Sequence, residues 1–96
     1  MCKVLVFAGT TEGRKIVEFL DSQSVPSHIC VATEYGEELL PKSGHMTVSH
    51  TRLTEEDMEA LMREIQADPV IDATHPYAAE VTKNIRSACE KAGCRY

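Results

Sequence analysis

Residues 3–14 read Lys-Val-Leu-Val-Phe-Ala-Gly-Thr-Thr-Glu-Gly-Arg, and this stretch defines the first structural unit of the chain. The run 3–8 favours β-structure without polar–apolar alternation, which is typical of a strand covered on both faces in a parallel sheet. A turn bracketed by glycines follows, and Ile16, Val17 and Leu20 then repeat at helical spacing. The stretch therefore predicts a strand, a tight turn and a helix.

The same alternation of strand and helix continues along the rest of the chain. Further strands are predicted over 28–33, about 46–50 and from Val70 onward, and 94–96 looks like the start of a fifth. Predicted helices lie near 37–40, after Thr54, and from Pro76 to Gly93. Short connections and right-handed crossovers stack such strands into a parallel sheet with helices on both faces. The predicted fold is α/β: a three-layer, Rossmann-like, doubly wound parallel sheet of about four to five strands, in a single domain over 1–96.

The helix after Thr54 has the clearest local start signal. Thr54 can cap it, and Asp57 stands at the third helical position as a shorter version of the capping-box acid. Leu53 can contact Met58 across the first turn. Because the acidic residues 55–57 suit the positive end of the helix dipole, we interpret them as helix-start chemistry rather than as a catalytic or metal site.

The composition is that of an ordinary globular chain, with 96 residues, 43% of them hydrophobic and 26% charged, and a net charge of −5. The ten Lys and Arg residues are scattered, so the electrostatic footprint of a nucleic-acid or anionic-membrane partner is missing. The first apolar run, 4–8, is too short for a signal peptide or a membrane span. We predict a cytoplasmic protein with no nucleic-acid or membrane partner.

The cysteines and histidines show no spacing typical of metal ligands. Cys2, Cys30, Cys89 and Cys94 include no C-x-x-C pair. Without a secretion signal, such cysteines are more often small buried hydrophobic residues than disulfide partners. We therefore predict no metal site.

The turn after the first strand is a candidate phosphate-binding loop. Gly9 and Gly13 would let a phosphate approach the backbone near a helix N-terminus. Thr10 and Thr11 add hydroxyl donors, and Arg14 adds a positive charge. Because the pattern lacks the middle glycine of G-x-G-x-x-G, a bare strand-to-helix turn is the alternative. The position favours a cofactor role, since the first such turn commonly binds phosphate in these folds.

Glu34 is a candidate determinant of the dinucleotide. It lies about twenty residues beyond the glycine turn, where an acid commonly bonds the ribose hydroxyls and repels a 2′-phosphate. Taken alone, Glu34 favours NADH over NADPH. The alternative is that it only starts the turn at Tyr35 and Gly36 and points to water.

The second polar cluster lies in 70–78, Val-Ile-Asp-Ala-Thr-His-Pro-Tyr-Ala, where an apolar strand ends before a helix. Asp72, Thr74, His75 and Tyr77 are candidate contacts to substrate or cofactor. An imidazole beside a phenol could bind carboxylates or relay a proton, but neither is identified as a catalytic residue. The alternative is helix-start chemistry, in which Thr74 caps the helix and Asp72 bonds neighbouring backbone.

The two polar clusters are expected to form one site. Strands one and four should be neighbours at the point where the strand order reverses. The loops 9–14 and 74–78 would then face each other across the crevice at the carboxyl edge of the sheet.

Several motifs together resemble the precorrin-6A reductase family, including its cobalt-precorrin-6A form. They are F-A-G-T-T-E-G-R (7–14), V-A-T-E-Y-G (31–36), R-L-T-E-E-D-M (52–58), D-A-T-H-P-Y-A (72–78) and V-T-K-N-I (81–85). The resemblance covers nearly the whole chain. It implies a cytoplasmic enzyme of cobalamin biosynthesis that transfers hydride from NADPH or NADH to a double bond of a tetrapyrrole, the corrin precursor.

The resemblance also places site residues by position. The family's glycine-turn motif corresponds to Gly9, Thr10, Thr11, Gly13 and Arg14, and its second motif to Asp72, Thr74, His75, Pro76 and Tyr77. Ala8 departs from the pattern, since many relatives have a second glycine there. The family includes NADPH-linked and NADH-linked members, so the resemblance leaves the choice of reductant open.

Chain length is the larger departure from the family. Its members have a second α/β domain, with the macrocycle bound between the two, so the resemblance implies an N-terminal half whose C-terminal domain is missing. We expect such a fragment to bind dinucleotide weakly without turning over substrate. The exposed edge of the sheet is expected to pair with another copy. The alternative from a different class is a non-enzymatic, nucleotide-binding α/β regulatory module.

Overall fold

The computed structural model describes residues 3–31, 44, 46–49, 53–74 and 79–96. Within these residues the elements are, in chain order, β1 (Val4–Ala8), α1 (Thr11–Ser22), β2 (Ser27–Cys30), β3 (Met46–Ser49), α2 (Glu55–Ile65), β4 (Val70–Ala73) and α3 (Ala79–Ala92). The helix predicted near 37–40 lies outside the described residues. Among the described residues, the other predicted helices and the first four predicted strands are found, with ends shifted by a few residues.

The four strands form one parallel sheet in the order β3-β2-β1-β4. Val6 in β1 pairs with Ile29 in β2 on one side and with Ile71 in β4 on the other. The chain therefore moves outward from β1 through β2 to β3, and then returns to place β4 on the opposite side of β1. This confirms the predicted doubly wound sheet and puts its reversal point between β1 and β4.

Helices cover both faces of the sheet. Leu5 faces α2 and α3, where it packs in one cluster with Met62 and Ile85. Its neighbour Val6 faces α1, where it packs in a second cluster that includes Val17. These side chains are fully buried, and each such burial stabilises the fold by about 1.5–3 kcal/mol. Because β1 is apolar on both faces, it lies in the middle layer of three.

The predicted start of α2 and the predicted end of α3 are confirmed. The Thr54 hydroxyl accepts the Asp57 N–H at 3.1 Å, and the Asp57 carboxylate accepts the Thr54 N–H at 3.2 Å, which completes the capping box. Gly93 follows α3 with φ of +74°, a left-handed conformation that favours glycine. The capping box and the glycine each depend only on residues close by in the chain, so both could be predicted from the sequence.

The segment after Gly93 lies beside β4. Val70 donates its N–H to the carbonyl oxygen of Arg95 at 2.8 Å. No fifth strand is formed among the described residues, but this bond starts the predicted pairing along the outer edge of β4. Cys30 and Cys89 are free and buried, as expected for small hydrophobic residues. In the part of the chain that the structure describes, no helix has the length and hydrophobicity needed to cross a membrane.

Candidate functional site

A hydroxyl joins the glycine turn to the end of β4. Thr10 Oγ1 donates to the carbonyl oxygen of Ala73 at 3.0 Å. Leu5 N–H donates to the Pro69 carbonyl in the same strand pair, and alternate residues of a parallel strand face the same neighbour. The Ala73 carbonyl therefore faces β1, and Thr10 satisfies it where the ladder between the two strands ends.

Thr10 also starts α1. Its hydroxyl accepts the Gly13 N–H at 3.1 Å, and its carbonyl accepts the Arg14 N–H at 3.1 Å. Thr10 itself is extended, with φ of −136° and ψ of 170°, as an N-cap residue should be. The Thr10 hydroxyl thus both donates and accepts a hydrogen bond within the protein. From the sequence it was predicted to be a hydrogen-bond donor to a ligand.

Gly13 is required by packing between α1 and the sheet. A Cβ at this buried position would lie 3.0 Å from the Cβ of Ala73, and 3.3 Å from both the Ala73 carbonyl oxygen and the Ala8 Cα. The helix could not approach the ends of β1 and β4 this closely with a larger residue. Close helix–strand packing is one of the known uses of glycine in dinucleotide-binding turns.

The groups of the glycine turn that remain open to a ligand are its exposed backbone and the first turn of α1. Gly9 and Thr11 are exposed, and the N–H groups of Thr11 and Glu12 have no acceptor within the helix because they belong to its first turn. Arg14 is also exposed, but its Nε lies 3.2 Å from a Glu18 carboxylate oxygen. The site offers backbone donors and the helix dipole to an anion, while the Glu12 carboxylate opposes it.

Asp72 is held by hydrogen bonds on both of its oxygens. Oδ1 accepts the Thr74 N–H at 3.0 Å and the Thr74 hydroxyl at 2.6 Å. Oδ2 accepts the Tyr96 hydroxyl at 2.9 Å. Partial burial alone would raise the pKa of Asp72, but hydrogen bonds from Thr74, Thr82 and Tyr96 outweigh it and lower the pKa below its usual value. Asp72 is therefore a carboxylate near neutral pH.

Thr82 and Arg86 on α3 complete this network. Thr82 Oγ1 lies 3.4 Å from Thr74 Oγ1, and the Arg86 guanidinium lies 5.6 Å from the centre of the Tyr96 ring. The Tyr96 contact was not predicted from the sequence. The signal that could have pointed to it was the expected fifth strand at 94–96, since a strand beside β4 brings its side chains near Asp72.

The glycine turn and the Asp72 side chain lie on different faces of β4. Asp72 and Val70 share a strand face, and Val70 packs with the helices α2 and α3. Gly13 in α1 contacts Ala73, which points to the opposite face. A groove of about 310 Å³ borders the outer edge of β4 and is lined by Pro69, Val70, Ile71, Asp72 and Tyr96. The end of β4 is thus the common wall of the glycine turn and the Asp72 network.

Four predicted site residues lie outside the described residues: Glu34, His75, Pro76 and Tyr77. Their predicted contacts remain predictions. Among the described residues, no group of three or more His, Cys, Asp or Glu side chains is arranged to hold a metal ion.

A second polar contact spans the carboxyl end of β2 and β3. His28 Nε2 lies 3.1 Å from Ser49 Oγ, and Ser49 donates to the Cys30 sulfur at 3.7 Å. Burial, with a contribution from the nearby Lys3 charge, lowers the pKa of His28. Burial likewise raises the pKa of the Cys30 thiol. This arrangement keeps both groups neutral, so it is suited to holding the two strands together rather than to nucleophilic chemistry.

Comparison with known proteins gives consistent matches. Residues 3–96 match the family described as "Precorrin-6x reductase CbiJ/CobK". The chain is 36% identical over 94 residues to a cobalt-precorrin-6A reductase of Methanothermobacter thermautotrophicus and 39% identical over 92 residues to one of Salmonella typhimurium. These alignments cover 97% and 94% of this chain.

A solved structure has the same fold. The chain superposes on a structure titled "CobK precorrin-6A reductase" with a TM-score of 0.81 and 26% identity, over 99% of this chain and 37% of that one. The chain spans about a third of the length of the two relatives named above, 31% and 34% respectively.

Proposed function

This chain belongs to the precorrin-6x reductase family, and from that premise we propose that it supplies the nicotinamide-nucleotide-binding part of a reductase of cobalamin biosynthesis. The reaction would transfer hydride from NADPH or NADH to a double bond of precorrin-6A or cobalt-precorrin-6A, a tetrapyrrole. The family match and the Rossmann-like sheet support this assignment.

The observation that carries the proposal is the bond from Thr10 to the Ala73 carbonyl. It brings the glycine turn and the end of β4 together at the reversal point of the sheet, where open α/β folds bind nucleotides. The first-turn N–H groups of α1 fit a pyrophosphate, because they are directed outward at the positive end of the helix dipole. Gly9, Thr11 and Arg14 would line the approach to these groups, and Glu34 would contact the ribose.

The Asp72 network would position ligands rather than perform the chemistry. When bound, the nicotinamide supplies the hydride. Asp72 has a lowered pKa and holds no proton to donate near neutral pH. Its role would be to fix Thr74 at the wall of the crevice, beside the proposed contacts His75 and Tyr77. The proton that accompanies the hydride would come from solvent or from another side chain.

The reductase reaction would need protein beyond this chain. The chain corresponds to about a third of the relatives' length, and we propose that the remainder includes a C-terminal domain that closes the tetrapyrrole site from the other side. At the outer edge of β4, Val70 already bonds Arg95 of the same chain. We propose that another strand or a second copy pairs along this side of the sheet. The proposed location is the cytoplasm, and we expect the isolated chain to bind dinucleotide without reducing substrate.

Ligand-dependent stability tests the proposal. Thermal unfolding of the chain would be followed with NADPH, NADH, ATP or a tetrapyrrole carboxylate added. A dinucleotide at a hundred times its Kd should stabilise the chain by about 2.7 kcal/mol. Arg63→Gln is a control for Arg14→Gln, since each arginine is exposed and ion-paired four residues away on its own helix, but only Arg14 lies at the site. Because Arg63 also donates to the Lys91 carbonyl oxygen, the comparison is between the stabilisation that each variant gains from the nucleotide, not between their stabilities without it.

The expected result is stabilisation by NADPH or NADH that exceeds the effect of ATP and is weakened by Arg14→Gln alone. Stabilisation by ATP with none by either dinucleotide would favour the regulatory nucleotide-binding module instead. No stabilisation by any nucleotide would contradict both functions. Reduction of precorrin-6A at a steady rate by the 96-residue chain would contradict the proposed need for further protein.

A further inference from the structure

The Asp72 carboxylate connects the wall of the proposed site to a residue outside both predicted loops. One oxygen accepts two bonds from Thr74, and the other accepts the Tyr96 hydroxyl at 2.9 Å. A carboxylate is planar, so fixing one oxygen also fixes the direction of the other. Its terminal torsion is intrinsically broad and two-fold, so the orientation depends on such partners.

Tyr96 is itself held in place. Next to it, the Arg95 carbonyl oxygen accepts the Val70 N–H at 2.8 Å, which fixes the backbone along the outer edge of β4. The Arg86 guanidinium lies over the Tyr96 ring at 5.6 Å, a distance typical of a cation–π contact. The residue as a whole is nevertheless 53% exposed, so it contributes little to the apolar core. Its specific contribution is the hydrogen bond to Asp72.

We propose that Tyr96 is a positioning residue of the crevice, which orients the Asp72 carboxylate and, through it, Thr74, and so sets the affinity for dinucleotide. This inference rests on the proposed function. Thr74 bonds Asp72 through both its N–H and its hydroxyl, so any rotation of the carboxylate moves or releases Thr74. Thr82 lies on the other side of the Thr74 hydroxyl, which limits where that side chain can move.

Tyr96→Phe tests the inference because it keeps the ring and removes only the hydroxyl. The Kd for NADPH or NADH, measured by titration calorimetry on the full 96-residue chain, should rise about threefold to tenfold, as expected for the loss of one hydrogen bond. The unfolding temperature should fall by no more than several degrees, as expected for one exposed hydrogen bond in a chain of this size, since the ring stays in place. Arg95→Gln is the matched control, because it removes the neighbouring ion pair with Asp68 and leaves the backbone bond to Val70 intact.

Hydrogen exchange at the Thr74 amide tests whether the change in Kd is transmitted through Asp72 to Thr74. Tyr96→Phe should speed exchange of the Thr74 N–H, and Arg95→Gln should not. An unchanged Kd in Tyr96→Phe would overturn this inference and leave the proposed function intact. A raised Kd with unchanged Thr74 exchange would also overturn it, because the effect would not pass through Asp72. Failure of the unaltered chain to bind either dinucleotide would overturn the proposed function and this inference with it.

Discussion

The Thr10 hydroxyl lies 3.0 Å from the carbonyl oxygen of Ala73, a residue 63 positions later in the chain. The same hydroxyl accepts the Gly13 N–H at 3.1 Å. The Thr10 side chain thus caps α1 and also makes the last hydrogen bond between the β1 end and β4, at the reversal point of the sheet. Thr10 therefore contributes to stability in two ways, by capping a helix and by bonding a distant strand. Substitutions at Thr10, compared with a substitution at a helix cap that lacks the second bond, separate the two contributions.

Thr10→Ala should destabilise the chain by more than the loss of a cap alone. Loss of an N-cap costs about 0.5–2 kcal/mol. Loss of the bond to the Ala73 carbonyl adds about 0.5–1.5 kcal/mol. We expect a total loss of about 1–3.5 kcal/mol in the free energy of unfolding, measured by urea titration. Thr10→Ser keeps the hydroxyl and should stay within about 0.5 kcal/mol of the unaltered chain.

Thr54→Ala is the control for Thr10→Ala. Thr54 caps α2 through the Asp57 N–H, and its hydroxyl shows no bond to another strand among the described residues. Thr54→Ala should therefore lower the free energy of unfolding only by the contribution of the helix cap, about 0.5–2 kcal/mol. Equal losses for the two alanine variants would contradict the added contribution of the bond between Thr10 and Ala73.

Gly13→Ala should destabilise the chain although alanine is the better helix former. The new Cβ would lie 3.0 Å from the Ala73 Cβ and 3.3 Å from the Ala8 Cα, and neither neighbour is the flexible end of a side chain. Overpacking of this kind costs about 1–3 kcal/mol, against a gain in helix propensity of about 1 kcal/mol. We expect a net loss of up to about 2 kcal/mol in urea unfolding.

Gly44→Ala and a double variant test the cause of that loss. A Cβ at Gly44 would meet nothing within 4 Å, so its substitution should be close to neutral. Ala73→Gly removes the nearest clashing atom and should recover part of the loss when combined with Gly13→Ala. A fully additive double variant would show that the two positions do not touch.

Most of the fold could be predicted from the sequence because its signals are local. The unbroken apolar runs, the Thr54 capping box and Gly93 each act within a few residues, and short connections then leave few ways to order parallel strands. The ends of the strands could not be predicted to the residue. For example, the second strand was predicted over 28–33 and is found at Ser27–Cys30, because strand ends depend on pairing with neighbours rather than on composition.

The candidate site was predictable in position but not in detail. The sequence placed the glycine turn opposite the end of β4, and the Thr10 bond to Ala73 puts them in contact. It could not show that the Thr10 hydroxyl is used within the protein, or that Tyr96 reaches Asp72, because both contacts join residues far apart in the chain. The alternative in which Asp72 bonds neighbouring backbone is also seen, through the Thr74 N–H.

Asp72 should make the stability of the chain depend on pH at acidic values. Its pKa is lower in the folded chain than in the unfolded one, where it is about 3.9. Its stabilising contribution is therefore complete above the unfolded pKa and is lost as pH falls through the folded pKa. The free-energy difference between the unaltered chain and Asp72→Asn should be constant above about pH 5 and shrink below it. A difference that grows on acidification would contradict the assigned direction of the shift.

His28 should also make the chain less stable as pH falls, but at higher pH values than Asp72 does. Burial lowers the pKa of His28 below its usual 6.5, so folding disfavours the protonated ring. The stability this gives is present above the unfolded pKa and declines as pH falls from about 7 through the folded pKa. In urea unfolding, His28→Gln should flatten the stability profile between about pH 5 and 7, and Asp72→Asn should leave that range unchanged. Identical slopes for the unaltered chain and His28→Gln would contradict this.

Glu12→Gln should strengthen dinucleotide binding if the first turn of α1 holds the pyrophosphate. Glu12 is exposed at the second helical position, where its charge opposes an incoming phosphate. We expect the Kd for NADPH or NADH to fall about twofold to fivefold at low salt, with the gain reduced at high ionic strength by screening. Glu56→Gln, at the second position of α2, removes an equivalent charge away from the site and should leave the Kd unchanged. Equal effects of the two substitutions would indicate a response to net charge, and weaker binding by Glu12→Gln would mean that the carboxylate itself contacts the ligand.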